Sequence, residues 1–187
     1  MKKVLLVKIS ILLVAFIAIS CAENKKKIIL NFPETNLALE NIIPKPTTII
    51  ATNSAFGLDH NTVIYTAQAS NGFKEVGDFL SESIREKTNL DISVNDTSLE
   101  TVDRIIYLNQ SDSIDIETNE SYQLYISKDS IIINAKTAEG AFRGVQTLRQ
   151  IIPEKSNDTI TTHKMWLVPT GKIIDSPNFE YRGAMLD

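Results

Sequence analysis

From residue 42 onward the apolar positions change period several times, and each change marks an element. Ile49-Ile50-Ala51 and Thr62–Thr66 are short β-branched runs separated by Gly57 and Asn61, which predicts two strands. Between Phe73 and Lys87 the period lengthens. Phe73, Val76, Phe79, Leu80 and Ile84 recur at three- and four-residue spacing with charges opposite, so this stretch predicts an amphipathic helix. Asn89 can take the left-handed cap conformation just past its end, with Leu90 folding back onto the helix. Arg104–Leu108 reads as a buried strand. Tyr122–Ser127 and Ser130–Ala135 flank Lys128-Asp129 and predict a hairpin. Thr137 is placed to cap a second helix, whose stripe is Ala141, Phe142, Val145, Leu148 and Ile152 and whose stop is Pro153. Met165–Val168 reads as one more strand, followed by a linker carrying Pro169, Gly171 and Pro177.

Neither helix can bury its stripe except against a sheet, and the strand runs are too few for a sandwich. The expected fold class is α/β (α+β): a mixed, mostly antiparallel sheet with two helices packed on it. Residues Asn31–Pro46, punctuated by Pro33, Pro44 and Pro46, read as a connector leading in. Phe179–Asp187 reads as a further strand ending on a carboxylate, with no partner element after it, so the sequence is expected to be a piece of a longer one.

The opening residues follow a different pattern. Lys2 and Lys3 precede Val4–Ile19, which is apolar apart from Lys8 and Ser10 and shorter in its uninterrupted part than a membrane span requires. Ala18-Ile19-Ser20-Cys21 then places small residues before the single cysteine of the chain, a pattern that resembles the bacterial lipobox. Residues 1–20 are read as a lipoprotein export signal and Cys21 as the lipidated residue. The competing readings are an ordinary cleaved signal and an uncleaved anchor. Residues 21–41, with Lys25-Lys26-Lys27, are expected to tether the domain to the membrane.

One cysteine excludes an internal disulfide framework, so the remainder must fold on its own core. The formal charge of the chain is −4, and it becomes −7 when the signal takes Lys2, Lys3 and Lys8 and no acid with it. An acidic surface of this kind opposes nucleic-acid binding. His60 and His163 are far apart and stand in no ligand motif, so no metal or cofactor is expected. The serines lack a nucleophile-elbow context. Arg143 and Arg149 are expected to be solvated on the polar side of the second helix, and Trp166 to serve packing. The Asn-X-Ser/Thr triplets at Asn95, Asn109, Asn119 and Asn157 carry no weight in a bacterial lipoprotein.

Three blocks taken in order resemble family 20 glycoside hydrolases. The first is Ile42-Ile43-Pro44-Lys45-Pro46. The second is Tyr122–Ser127 with Ile131–Ala135 and the run Ala138-Glu-Gly-Ala-Phe-Arg-Gly-Val-Gln-Thr-Leu-Arg-Gln-Ile-Ile-Pro153. The third is Val168-Pro169, Ile174-Asp175-Ser176-Pro177 and Phe179-Glu-Tyr-Arg-Gly-Ala-Met-Leu-Asp187. The second block also precedes related barrels, and the third discriminates. Family 20 barrels open on aromatic-Arg-Gly, three mostly apolar residues and Asp, whereas O-linked N-acetylglucosamine hydrolases carry Glu-Gly-Phe-Tyr-Gly.

The resemblance implies a domain plan of signal 1–20, tether 21–41, accessory domain 42–169, and linker with the first strand of a (β/α)8 barrel at 170–187. It implies an exported β-N-acetylhexosaminidase acting on glycans ending in N-acetylglucosamine or N-acetylgalactosamine, held to the membrane through lipid on Cys21. Family 20 works by substrate-assisted retention, in which the substrate's acetamido oxygen attacks the anomeric carbon while an Asp-Glu pair orients it and protonates the leaving oxygen. No adjacent Asp-Glu occurs in this chain, so the piece alone is expected to be inactive. Arg182 matches the first-strand arginine that grips the sugar hydroxyls. Asp187 matches the carboxylate at that strand's end, where barrel sites are built. Two alternatives stay open: a stand-alone lipoprotein module that binds a glycan or a partner, and the front of a related O-linked N-acetylglucosamine hydrolase.

Overall fold

The computed structural model describes residues 32, 34–66, 72–96, 104–112, 118–154 and 165–179. Among them the elements run β1 (Thr48–Leu58), β2 (Val63–Thr66), α1 (Phe73–Thr88), β3 (Val94–Asn95), β4 (Ile105–Gln110), β5 (Tyr122–Ile126), β6 (Ser130–Ala135), α2 (Ala138–Ile151) and β7 (Trp166–Asp175). The strands form one sheet in the order β1-β7-β5-β6-β4-β2-β3. Pairing is antiparallel from β1 through β6 and parallel from β6 through β3. The expected mixed sheet is present, and antiparallel pairs hold the larger share of its paired residues.

Both helices lie on one face. Leu108, Ile133, Leu124 and Ile173 are in register across four strands and fully buried. Phe73, Leu80 and Ile84 of α1 and Ala141, Val145 and Leu148 of α2 share their core. Each large apolar side chain in it contributes about 1.5–3 kcal/mol through burial. Asn89 ends α1 at φ 59° with its N–H donating to the Arg85 carbonyl, as its position predicted. Thr137 caps α2, its hydroxyl accepting from the Gly140 N–H. The α2 backbone approaches the sheet closely. A Cβ on Gly144 would lie 2.7 Å from Ile133 Cγ2, and one on Gly140 would lie 2.5 Å from the Ser121 carbonyl oxygen.

Two expectations are corrected. Residues 170–175 are strand rather than linker, so the sheet continues past the expected boundary at 169. β7 pairs with β1 from Leu58↔Trp166 to Thr48↔Ile174, and this partner outweighs the local signals of Gly57, Pro169 and Gly171. Pro169 is tolerated because β5 pairs with β7 only over residues 171–175, so the missing N–H faces no second ladder. Residues 34–41 are not tether alone. Leu37 opens a single 3₁₀ turn, Leu37–Leu39, and is fully buried in the core.

Strand order and loop length together require the sheet to curl. β1 stands at one edge and β2 five positions away, about 24 Å in a flat sheet. The chain from Leu58 to Val63 reaches at most about 18 Å. The bend falls where β1 bulges between Ala51 and Ala55, opposite Gly171. Asn53 takes φ 52° there, and Thr170 accepts from the Ser54 N–H at 3.1 Å and the Thr52 hydroxyl at 2.7 Å. Beyond the bend Phe56 and Leu58 are fully buried. Asp59, nearly buried, receives Arg104 Nη1 at 2.7 Å, and the Arg104 N–H donates to the Asp129 carbonyl. These contacts tie the end of β1 beneath β4 and the β5–β6 turn.

One buried polar pair links the sheet to α2. The Tyr122 and Thr147 hydroxyls meet at 2.6 Å, and burial pushes the Tyr122 phenol up to about 12. A phenol whose folded pKa exceeds its unfolded value of about 10 stabilises the fold fully below that value. The stabilisation is lost as pH rises through about 12, by about 2–3 kcal/mol. Tyr122→Phe is expected to cost about 1–2 kcal/mol at neutral pH, because Thr147 loses its buried partner. It should also flatten the alkaline decline. Urea unfolding midpoints of both proteins on either side of pH about 10 test this; equal alkaline slopes would count against it.

Candidate functional site

Cys21, Arg182, Asp187 and His163 lie outside the described residues. The described parts of the three motif blocks run from Ile42 to Phe179, and cross-links join the first of them to each of the other two.

The first block meets the second through one side chain. Gln150, at the end of α2, accepts from the Ile43 N–H at 2.9 Å and donates from Nε2 to the Ile43 carbonyl at 3.0 Å. This two-way bond imitates a strand pairing and fixes the Ile42–Pro46 segment against the helix. Ile42 is buried in the core, while Ile43 stays 68% exposed. The first block meets the third just after. Thr47 donates to Asp175 Oδ1 twice, from its N–H at 3.0 Å and from its hydroxyl at 2.9 Å. Asp175 is the last residue of β7 and is paired with Tyr122. Chain entry and chain exit are therefore tied together at the start of β1.

The second block is held from both ends. The Thr137 hydroxyl donates to the Asn119 carbonyl at 2.7 Å, and Arg143 binds Glu120 at 2.7–2.8 Å. Lys87 of α1 donates to the Arg149 and Ile152 carbonyls at 2.7 and 3.2 Å, which satisfies the terminal carbonyls of α2 and matches its dipole. Arg149, expected in solvent, lies over the Phe79 ring at 5.1 Å, and that ring is tilted against Phe142 at 5.2 Å. Its planar cation stacks where a lysine would hydrate. Trp166 is half-buried against the core, in the packing role expected of it.

Beside Gln150 lies an open recess of about 500 Å³, lined in part by Leu39, Glu40, Lys87, Glu154 and Leu167. Burial raises the Glu40 carboxyl above its ordinary value. The Lys87 ammonium is already committed to the α2 carbonyls, and it approaches Glu154 at 3.7 Å. His60 is exposed on the turn after β1. Among the described residues no group of three His, Cys, Asp or Glu could hold a metal, and no helix is long and apolar enough to cross a membrane.

The opposite face of the sheet carries half-buried Tyr107, Ile132, Tyr125 and Lys172 in register, with Lys172 Nζ 5.0 Å from the Tyr125 ring centre. Sequence reasoning placed neither this row nor the Gln150 and Asp175 contacts. Both latter residues lie inside the motif blocks, but their partners are 107 and 128 positions away.

Residues 40–176 match the family model described as glycosyl hydrolase family 20, domain 2. The β-hexosaminidase of Porphyromonas gingivalis is 30% identical over 171 residues, covering 90% of this chain and 21% of that protein. The solved GH20 β-N-acetylhexosaminidase of Streptomyces coelicolor A3(2) superposes with a TM-score of 0.65 at 26% identity, over 79% of this chain and 28% of that one. A mutant β-hexosaminidase of Streptomyces plicatus in complex with its product GlcNAc gives 0.63 at 26% identity, over 82% and 28%. The chain thus spans between a fifth and a third of the length of these proteins.

Proposed function

The chain belongs to glycosyl hydrolase family 20, whose domain 2 it contains, and from that premise we propose that it serves an exported, lipid-anchored β-N-acetylhexosaminidase. In this reading the longer protein removes terminal β-linked N-acetylhexosamine from glycans. The substrate's own acetamido oxygen is the nucleophile, water completes the hydrolysis, and the configuration is retained. The acid and the acetamido-orienting carboxylate come from a barrel whose first strand begins at Phe179. Arg182 holds the sugar hydroxyls with several fixed donors that never lose their charge. Asp187 supports it at the strand's end, and lipid on Cys21 keeps the enzyme at the cell envelope.

One observation carries this reading. The family 20 domain match ends at residue 176, and the run Phe179-Glu-Tyr-Arg-Gly follows within three residues. Release of p-nitrophenol from p-nitrophenyl N-acetylglucosaminide tests it. The longer protein is expected to be active in the membrane fraction, to move to the soluble fraction on Cys21→Ser, and to lose all activity when reduced to residues 22–187. Turnover by residues 22–187 alone, or an inert longer protein, would sink it.

A further inference from the structure

We infer that the sheet face opposite the helices is a binding site for a chain of β-linked N-acetylhexosamine. Tyr107 and Tyr125 bear sugar rings there, and Asn109, Asn134 and Gln123 bond acetamido groups; the ligand class rests on the reading of the longer protein given above. Two rows make the site. Tyr107, Ile132, Tyr125 and Lys172 stand in register on four adjacent strands, all half-buried. Two residues away along the first three of these strands, half-buried Asn109, Asn134 and Gln123 form a second row on the same face. The rows lie about 7 Å apart, and the two tyrosines, with one strand between them, about 9–10 Å apart. Asn109 Nδ2 donates to Asn134 Oδ1 at 2.8 Å. The Tyr125 hydroxyl donates to Gln123 Oε1 at 3.1 Å, so the ring lies along its own strand.

Each row matches one half of that ligand. A pyranose in a β-linked chain shows a face of C–H bonds, and the π face of an aromatic ring, the negative part of its quadrupole, attracts them. The span between the tyrosines is about the repeat of an extended chain in which every second ring shows the same face, so two such rings meet Tyr107 and Tyr125. An acetamido group needs a donor and an acceptor together, and a side-chain amide supplies both. Lys172 Nζ stands 5.0 Å from the Tyr125 ring centre. At a half-exposed site this contact is weak, so the ammonium yields the ring and donates to sugar hydroxyls instead. Charge fits as well. The chain has 23 acidic side chains, yet none stands in either row, and the one ionised group there is Lys172. An uncharged sugar chain loses nothing to such a face, whereas a nucleic acid finds one cation where it needs many.

The experiment uses the full-length protein with two insoluble probes, chitin (β-linked N-acetylglucosamine) and cellulose, which lacks the acetamido group, both in the cold so that turnover is slow. Chitin is expected to deplete the parent from solution and cellulose to leave it there. Tyr107→Ala and Tyr125→Ala should each weaken retention on chitin about fivefold, and together about twentyfold, because each removes one ring contact. Tyr125→Phe keeps the ring and should stay within about twofold of the parent. Asn134→Ala should weaken retention about threefold. In all four variants kcat and KM for p-nitrophenyl N-acetylglucosaminide should stay within about twofold of the parent, because so small a substrate does not extend to the sheet. Where an alanine variant has a lower thermal midpoint, the parent decides: nitration of Tyr107 and Tyr125 must slow with chitin and not with cellulose. Retention untouched by both alanine variants, retention equal on the two probes, or nitration that chitin does not slow overturns the inference. If the protein still turns over the small substrate in that case, only the sheet site fails. An inert longer protein removes the reading beneath it.

Discussion

Gly171→Ala is expected to cost the domain about 3–5 kcal/mol, a large share of the total stability of a single domain. Gly171 sits at φ 157°, opposite Ala51 on one side and Ile126 on the other, where the sheet bends. A Cβ there would lie 2.2 Å from the Ile50 carbonyl oxygen, 3.1 Å from Ala51 Cα and 2.7 Å from Leu37 Cδ2. Two of these three atoms are backbone of a paired strand and cannot rotate away. Overpacking against such atoms typically costs about 1–3 kcal/mol, and the backbone conformation adds strain of similar size. The substitution also displaces Leu37, whose fully buried side chain occupies the space above the glycine. Gly144→Ala supplies the scale. Its clash is with side chains of Ile133 and Tyr122, and alanine regains about 1 kcal/mol of helix propensity, so a net loss of about 1 kcal/mol is expected. Urea unfolding of residues 22–187 should rank Gly171→Ala well below Gly144→Ala. Equal midpoints would show that the bend does not depend on the missing side chain.

The same position shows where sequence reading ran out. Local periodicity sufficed for both helices, for the Asn89 and Thr137 caps and for the β5–β6 hairpin, because those features are decided by residues within one or two turns of one another. It failed on β1 and β7. Gly57, Pro169 and Gly171 are breakers by local rule, yet each lies in a strand whose partner is more than a hundred residues distant. Pairing at that separation overrides propensity, and glycine and proline then mark the bulge and the unpaired flank rather than a strand end. Leu37 was hidden for a related reason. It sits between prolines in a segment with no repeating stripe, and its burial comes from packing on β1 and on Gly171 of β7, which pairs with β1 from the far end of the chain.

The motif blocks behaved differently from the secondary structure. Their residues were noticed as strings, whereas the structure gives several of them physical work. Gly140 and Gly144 let α2 approach the sheet, Thr147 receives the Tyr122 phenol, Gln150 clamps Ile43, and Asp175 receives Thr47. No string reveals these, because each is a contact between residues far apart along the chain or in different elements.

Replacement of Arg182 by alanine in the full-length protein is expected to lower kcat/KM for p-nitrophenyl N-acetylglucosaminide by about 10²–10³-fold. In the proposed enzyme this guanidinium holds the hydroxyls of the terminal sugar. A hydrogen bond from a charged donor is worth about 1.5–3 kcal/mol where water is excluded. Losing two, with part of the loss recovered by water entering the gap, leaves a deficit of about 3–4 kcal/mol, which corresponds to that range of rate. Lysine should restore little of it. An ammonium supplies charge but not two parallel donors in one plane, and sugar hydroxyls that need both would lose one bond and its direction. The deficit should persist across the working pH range, because an arginine does not titrate there. A pH-dependent loss would instead implicate a titrating carboxylate. If Arg182→Ala stays within about threefold of the parent, Arg182 grips no sugar. Phe179–Asp187 would then have no part in sugar binding, and the assignment of this chain to a working hexosaminidase would rest on family membership alone.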